Sequence, residues 1–275
     1  TFVDDWPKPE ILVALSDFEG LCGFRDPHET RQLFDGLNIL TPTDPLLGSL
    51  TERSGSAALA ETFLDCLAGD GMRRQIATEV VSEAVNHVGE DTPLGEFART
   101  AVELDEYFPG DPSIPAALML NRIHLKPGQA LSVPPGLMHS YLSGTGIEIM
   151  ADSNNVVRGG LTDKHIDVDS LIQIVSFQPQ PPQIIETEEI EHGAHAYPGI
   201  ANQFRLWKLD LDATRPAMLP ATDLARILLI TGGYAVCSSS GDTEEVVRGQ
   251  AMWIPANEQI QVDGDCDGFL AAAGV

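Results

Sequence analysis

Two stretches far apart in the chain, PGQALSVPPGLMH (127–139) and RGQAMWIPANEQI (248–260), run in one register: Gly-Gln-Ala, then Leu or Met, then Val or Ile, then Pro. In each, a glycine turn enters a strand and a proline ends it. Internal similarity of this kind means two copies of one architecture, here two small β units that the pattern predicts as barrels. The register puts Ile260 where the first copy has His139. One unit presents an imidazole inward and the other a hydrocarbon.

The remaining chain fits around these copies. An apolar run from Ile11, bounded by Pro9 and Asp17, predicts a buried strand followed by a turn. From Asp26 to about Val102 the texture changes: DPHETRQLFDGL, AALAETFLDCLA, GMRRQIATEVVSEAVNHV and PLGEFARTAVELDEYF carry apolar residues at i, i+3, i+4, with Asp, Ser or Thr near their starts. That is the pattern of capped helices. From Leu118 the pattern is β, interrupted by a short helix over 165–177 with Asp167 or Asp169 as its cap. After the proline-rich QPQPPQIIE, turn signals recur about every ten residues, as in an antiparallel sandwich or barrel. The fold class is therefore mainly β, two barrels with a helical insertion of about 80 residues. The expected domains are a first barrel at 1–25 and 103–177, a helical domain at 26–102 and a second barrel at 178–275.

The formal net charge of −25 argues against a nucleic-acid partner, whose phosphates need patches of Lys and Arg. An anionic substrate must then be held by a few local cations against the overall field. No apolar run approaches the roughly 20 residues of a membrane helix, and no signal peptide is visible. Cys22, Cys66, Cys237 and Cys266 form no CxxC pair, which fits reduced thiols in a cytoplasmic protein. The chain begins TFVDDWPKPE, without Met, and passes straight into patterned sequence, which reads as a cut start.

The chemistry gathers at three places. The spacing Gly128, Pro134, Gly136, His139 resembles the second motif of the cupin superfamily, Gly-x5-Pro-x-Gly-x2-His, whose His is a metal ligand on a strand lining a jelly-roll barrel. A lone His is otherwise most simply a hydrogen-bonded core residue; the Pro and Gly frame, and the contrast with Ile260, make His139 a ligand candidate. The stretch GIEIMADSNNVVRGGLTDK (146–164) offers Glu148, Arg158 and Lys164, either as a solvated loop with an ion pair or as an anion and sugar site. In WPKPE, Lys8 and Glu10 fall on one side of an extended segment stiffened by prolines. A carboxylate and an imidazole together suit zinc.

With these pieces in place, the sequence resembles the type I mannose-6-phosphate isomerases, zinc-dependent cupins, along essentially the whole chain. The most specific stretch runs from His139 through IEIMADSNNVVRGGLTDKHID. The resemblance implies Zn2+ as cofactor with Glu10 and His139 as ligands, Arg158 as a catalytic residue, and Lys8, Glu148 and Lys164 in the substrate pocket, with Lys164 near the sugar phosphate. It implies interconversion of mannose 6-phosphate and fructose 6-phosphate by a monomer that feeds the synthesis of mannose donors, GDP-mannose among them. Two further zinc ligands of the family come from a Gln-x-His segment upstream of the KPE element, and this chain has no Gln-x-His anywhere. Asn154 also replaces a usual Asp, and Trp6-Pro7 a usual Asn-His. The departures leave two expectations: part of a longer isomerase, or a shortened homologue without metal.

Aldose–ketose isomerisation passes through an enediol whose oxyanion needs stabilisation, by zinc and by Arg158. An arginine with a pKa above 12 is a poor base, so Glu148 or a metal-bound water is the easier one, and the sequence leaves that choice open. A bicupin that binds sugar phosphate without catalysis is the alternative. A cupin oxygenase would need several histidines around iron, and His28, His87, His124, His165, His192 and His195 lack the spacing. His192 and His195 read as residues of a surface loop.

Overall fold

A computed structural model describes residues 6–198 and 201–274; the first five residues, including the Asp-Asp that precedes Trp6, lie outside it. The apolar run near the front forms β1 (Glu10–Ala14) and, past a turn, β2 (Phe18–Phe24). The helical stretch follows as α1 (Pro27–Gly36), α2 (Asp44–Leu47), α3 (Ser49–Glu52), α4 (Gly55–Ala68), α5 (Gly71–Ala84), α6 (Pro93–Tyr107) and α7 (Ile114–Leu118). Asp26, Asp70 and Thr92 cap α1, α5 and α6 by accepting backbone N–H bonds, as the sequence predicted. Helix α6 crosses the expected boundary at Val102 and ends at Tyr107, because its apolar face continues through Leu104 into the helical core.

Strands β3 (Leu120–Leu125), β4 (Ala130–Val133), β5 (His139–Ser143) and β6 (Gly146–Met150) return to the first unit, and α8 (Val168–Ile174) is capped by Asp167. One sheet has the order β6-β1-β4, closed by β7 (Gln183–Ile185); a second has the order β3-β2-β5. The remaining strands are β8 (Glu188–Glu191), β9 (Ala194–Ala196), β10 (Phe204–Leu211), β11 (Ala217–Met218), β12 (Arg226–Ser238), β13 (Thr243–Val247), β14 (Ala251–Ile254) and β15 (Gln261–Ala273). They form a third, eight-stranded sheet with the path β13-β12-β15-β10-β9-β8, with β11 on β15 and β14 on β12. His195 therefore stands in a strand and is half-buried, and His192 is half-buried in the turn before it, not on an open loop. Gly264 stands inside β15 at a close strand approach, where an added Cβ would overlap the Tyr234 carbonyl.

Strand β1 is buried on both faces, which explains its uninterrupted apolar run. Leu12 and Ala14 face Phe18, Cys22, Ile123 and Leu125 of the second sheet. Ile11 and Val13 face Phe204, Leu206 and Phe269 of the third. Leu21 and Phe24, on the far side of β2, pack on the helical core around Phe34, Phe63 and Phe97. All four cysteines are free and buried; burial pushes the Cys22 thiol up to about 12.

The repeated stretches share their backbone hydrogen bonds. Gln129 Oε1 accepts from Lys126 N at 2.8 Å, and Gln250 Oε1 from Val247 N at 3.0 Å. Ala14 N donates to the Gln129 carbonyl and Ile230 N to the Gln250 carbonyl. Gly136 (φ 83) and Asn257 (φ 60) occupy the same left-handed turn position. Val133 pairs with Glu10, and Ile254, its counterpart, pairs with Arg226. Arg226 thus stands in the second copy where Glu10 stands in the first.

Candidate metal and sugar-phosphate site

Glu10 opens β1 between Val133 of β4 and Met150 of β6. The prolines on either side of Lys8 keep the entering segment extended, and the Pro9 carbonyl accepts from Ala151 N at 3.1 Å. Lys8 Nζ lies 3.0 Å from Glu10 Oε1, as the two-residue spacing predicted.

His139 opens β5 directly after the Pro134–Gly136 turn. Leu137 N bonds to the Pro134 carbonyl, and Ser176 N, just past α8, bonds to the Gly136 carbonyl at 2.9 Å. A Cβ on Gly136 would lie 2.6 Å from the Ile174 carbonyl, so this turn admits only glycine. The imidazole Nδ1 donates to the Leu137 carbonyl at 3.0 Å, which leaves Nε2 facing Glu10 Oε2 at 3.5 Å. Burial disfavours charge on both groups, yet each outweighs that penalty for the other. His139 and Lys8 hold the Glu10 carboxyl below its ordinary value, and Glu10 with the Leu137 carbonyl holds the imidazole above its own.

A cavity of about 900 Å3 opens on this pair. Lys8, Glu10, His139 and Arg158 all line it, with Trp6, Tyr141 and Asn155. Arg158 is exposed and makes no hydrogen bond or ion pair with a described residue. Lys8 is engaged by Glu10, so Arg158 is the unengaged cation among the described lining residues. Against the protein's charge of −25, that is where an anion finds attraction.

The other two expected residues sit outside the lining. Glu148 is on β6, opposite Leu12, and reaches the site through Tyr141, whose hydroxyl donates to Glu148 Oε1 at 2.7 Å. Burial, then that bond, pushes the Tyr141 phenol above its ordinary value. Lys164 is exposed beyond Thr162, whose hydroxyl accepts from its backbone N–H at 3.2 Å. Tyr141 was legible, since it stands two residues after His139 on the same face of a strand. Ser113, which also lines the cavity, had no signal at all, because it comes from the helical stretch.

The pair fits half of a zinc site. Ligands about 2.0–2.1 Å from a tetrahedral zinc lie about 3.3 Å from one another, close to the separation of Oε2 and Nε2. The bond from Nδ1 to a carbonyl fixes the tautomer that offers Nε2. Among the described residues, however, no group of three or more His, Cys, Asp or Glu gathers around one point, and a catalytic zinc takes three protein ligands.

No family model matches the chain. Mannose-6-phosphate isomerase 1 of Arabidopsis thaliana is 25% identical over 285 residues, covering 100% of this chain and 65% of the relative. The mannose-6-phosphate isomerase of Escherichia coli K12 is 28% identical over 252 residues, 91% of this chain and 62% of its own length. The chain thus spans just under two thirds of the relatives it matches. A crystal structure of phosphomannose isomerase from Salmonella typhimurium superposes with a TM-score of 0.82 at 23% identity, over 98% of this chain and 67% of that one. A zinc-bound mannose 6-phosphate isomerase gives 0.81 at 23%, over 98% and 66%. Along essentially its whole length the chain is thus similar in sequence to mannose-6-phosphate isomerases and in fold to phosphomannose isomerase structures.

Proposed function

We propose that the chain interconverts mannose 6-phosphate and fructose 6-phosphate. The observation that carries this reading is the one cavity that gathers Lys8, Glu10, His139 and Arg158, in a chain similar to mannose-6-phosphate isomerases along its length. The reading takes both β units as cupin-type jelly-roll barrels, the second degenerate. It takes the protein as a cytoplasmic monomer whose partner is a hexose 6-phosphate, with neither nucleic acid nor membrane.

Isomerisation removes the proton at C2 of the open-chain aldose and returns one at C1, while a hydroxyl proton passes from O2 to O1. The carbon-bound proton passes to a water or to Glu148, since a guanidinium is a poor base; Glu148 stands outside the cavity lining, behind Tyr141. Tyr141 steadies that carboxylate through the 2.7 Å bond. Arg158 lines the cavity without a partner among the described residues and stabilises the charge that develops on the enediolate oxygen. Lys8 and Lys164 anchor the phosphate, a remote contact that positions the reacting carbons. A zinc ion held by Glu10 and His139 would supply Lewis acidity at the sugar oxygens; the ligand set implied by the resemblance has two further members that the described residues do not supply.

The test is formation of fructose 6-phosphate from mannose 6-phosphate, with zinc counted per chain. Turnover that chelation removes and zinc restores is expected, and Arg158→Ala should lower kcat by about 100-fold or more with the metal retained. A folded, zinc-loaded chain that forms no ketose would overturn the reading. It would favour sugar-phosphate binding without catalysis, which the two-donor count also supports.

A further inference from the structure

The loop that carries Arg158 does not stand on the β unit alone. Ser113, at the entry to α7, is 5% exposed and lies 48 positions before Leu161 in sequence. Its hydroxyl accepts from Leu161 N at 2.9 Å and donates to Asp111 Oδ1 at 2.6 Å, while Ser113 N donates to the same carboxylate oxygen at 2.8 Å. Asp111 thus orients the hydroxyl, and the hydroxyl orients the loop. The loop takes an unusual path to meet it. Leu161 has φ 50, a left-handed conformation that a branched residue adopts only when held there. Gly160, at φ 127, passes so close that a Cβ would lie 2.7 Å from Ser113 Oγ. Gly159 runs against Met138 and Phe63, and a Cβ there would meet the Phe63 ring at 3.1 Å. The segment immediately after Arg158 is therefore pressed on the helical stretch by two consecutive close approaches, at Gly159 and Gly160, and by one directed hydrogen bond, at Leu161.

We propose that Ser113, held by Asp111, is the positioning residue for Arg158: it latches the 158–161 loop to the helical part so that the guanidinium stands over the cavity. The functional half of this inference rests on Arg158 acting in the isomerisation; the latch itself does not. Ser113 touches no reacting atom in this assignment. It acts through the Leu161 amide and the backbone leading back to Arg158. The helical insertion then has a task at the site beyond covering the second sheet.

The test compares Ser113→Ala and Ser113→Thr with the unmodified chain by amide hydrogen exchange at Leu161, steady-state kinetics on mannose 6-phosphate with zinc, and thermal melting. Loss of one buried hydrogen bond should speed Leu161 exchange about ten-fold in Ser113→Ala. Misplacement of Arg158 should lower kcat by about 100-fold, with KM within about three-fold because phosphate anchoring is untouched. Ser113→Thr, which keeps the hydroxyl, should restore both readouts. Unchanged Leu161 exchange in Ser113→Ala overturns the latch, whatever the activity. Faster exchange with unchanged kcat overturns the positioning role. If the unmodified, zinc-loaded chain shows no turnover, the isomerase reading has failed and with it the role assigned to Arg158, whereas the exchange rates still decide whether Ser113 holds the loop.

Discussion

Glu10 and Arg226 occupy one position in two copies of the same strand pair, and their chemistry is opposite. Glu10 has a cavity before it and an imidazole opposite. Arg226 has neither: it is 0% exposed, and Ile260 fills the place of His139. Its guanidinium donates to the Pro220 carbonyl at 2.6 Å and to the Glu258 carbonyl, in the same turn that carries Leu137 in the first copy. A buried positive charge is tolerated because two backbone carbonyls solvate it. The side chain closes the end of the second unit that remains open in the first. Arg226→Met should therefore destabilise the fold by about 3 kcal/mol, since two carbonyls lose charged donors and remain buried. Chemical denaturation would read this, and a variant as stable as the parent would remove the clamp from the account.

Helix α8 shows how a short element can be legible and still hide its purpose. Asp167 was one of two expected caps, and the structure chooses it: its carboxylate accepts from Ser170 N at 3.0 Å and from Ser170 Oγ at 2.7 Å. Those bonds hold the Asp167 carboxyl below its ordinary value. A depressed folded-state pKa stabilises the cap fully above the unfolded value, near ~3.9, and the contribution fades as pH falls through the folded value. The helix end at Ile174 and Val175 lines the cavity, and Ser176 N holds the Gly136 carbonyl. Acid below about pH 4 should therefore loosen the His139 turn along with α8, while neutral pH leaves both intact. A backbone NMR titration of Ser170 would check this, and a Ser170 amide indifferent to acid would contradict it. The helices were legible because capping and 3.6-residue periodicity are local signals. The Ser113–Leu161 bond was not, because it joins segments with no common pattern and depends on how the helical stretch folds back.

At the scale of the whole molecule, the sequence carried the repeat, the helical insertion and the four residues that share the cavity. It did not carry how the two β units meet. Burial on both faces of β1 was readable from Ile11 to Ala14, but what covers each face was not, since one face meets β2 and β3 and the other meets the distant strands β10 and β15. Ile11, Val13, Ala130 and Ile185 of the first sheet pack there on Phe204, Leu206 and Phe269 of the third. Glu10 directly precedes Ile11 in β1, so this contact also seats the strand that carries the candidate ligand. Phe269 is 4% exposed at its centre, and truncating a buried Phe costs about 3–5 kcal/mol. Phe269→Ala should lower stability by that amount and should also weaken hydrogen-exchange protection in β1 and β4, not only in β15 where the substitution lies. If the two β units are one cooperative structure, protection falls together on both sides of the contact. Loss confined to β15, with β1 and β4 as protected as before, would mean that each unit folds on its own and that the second merely rests against the first.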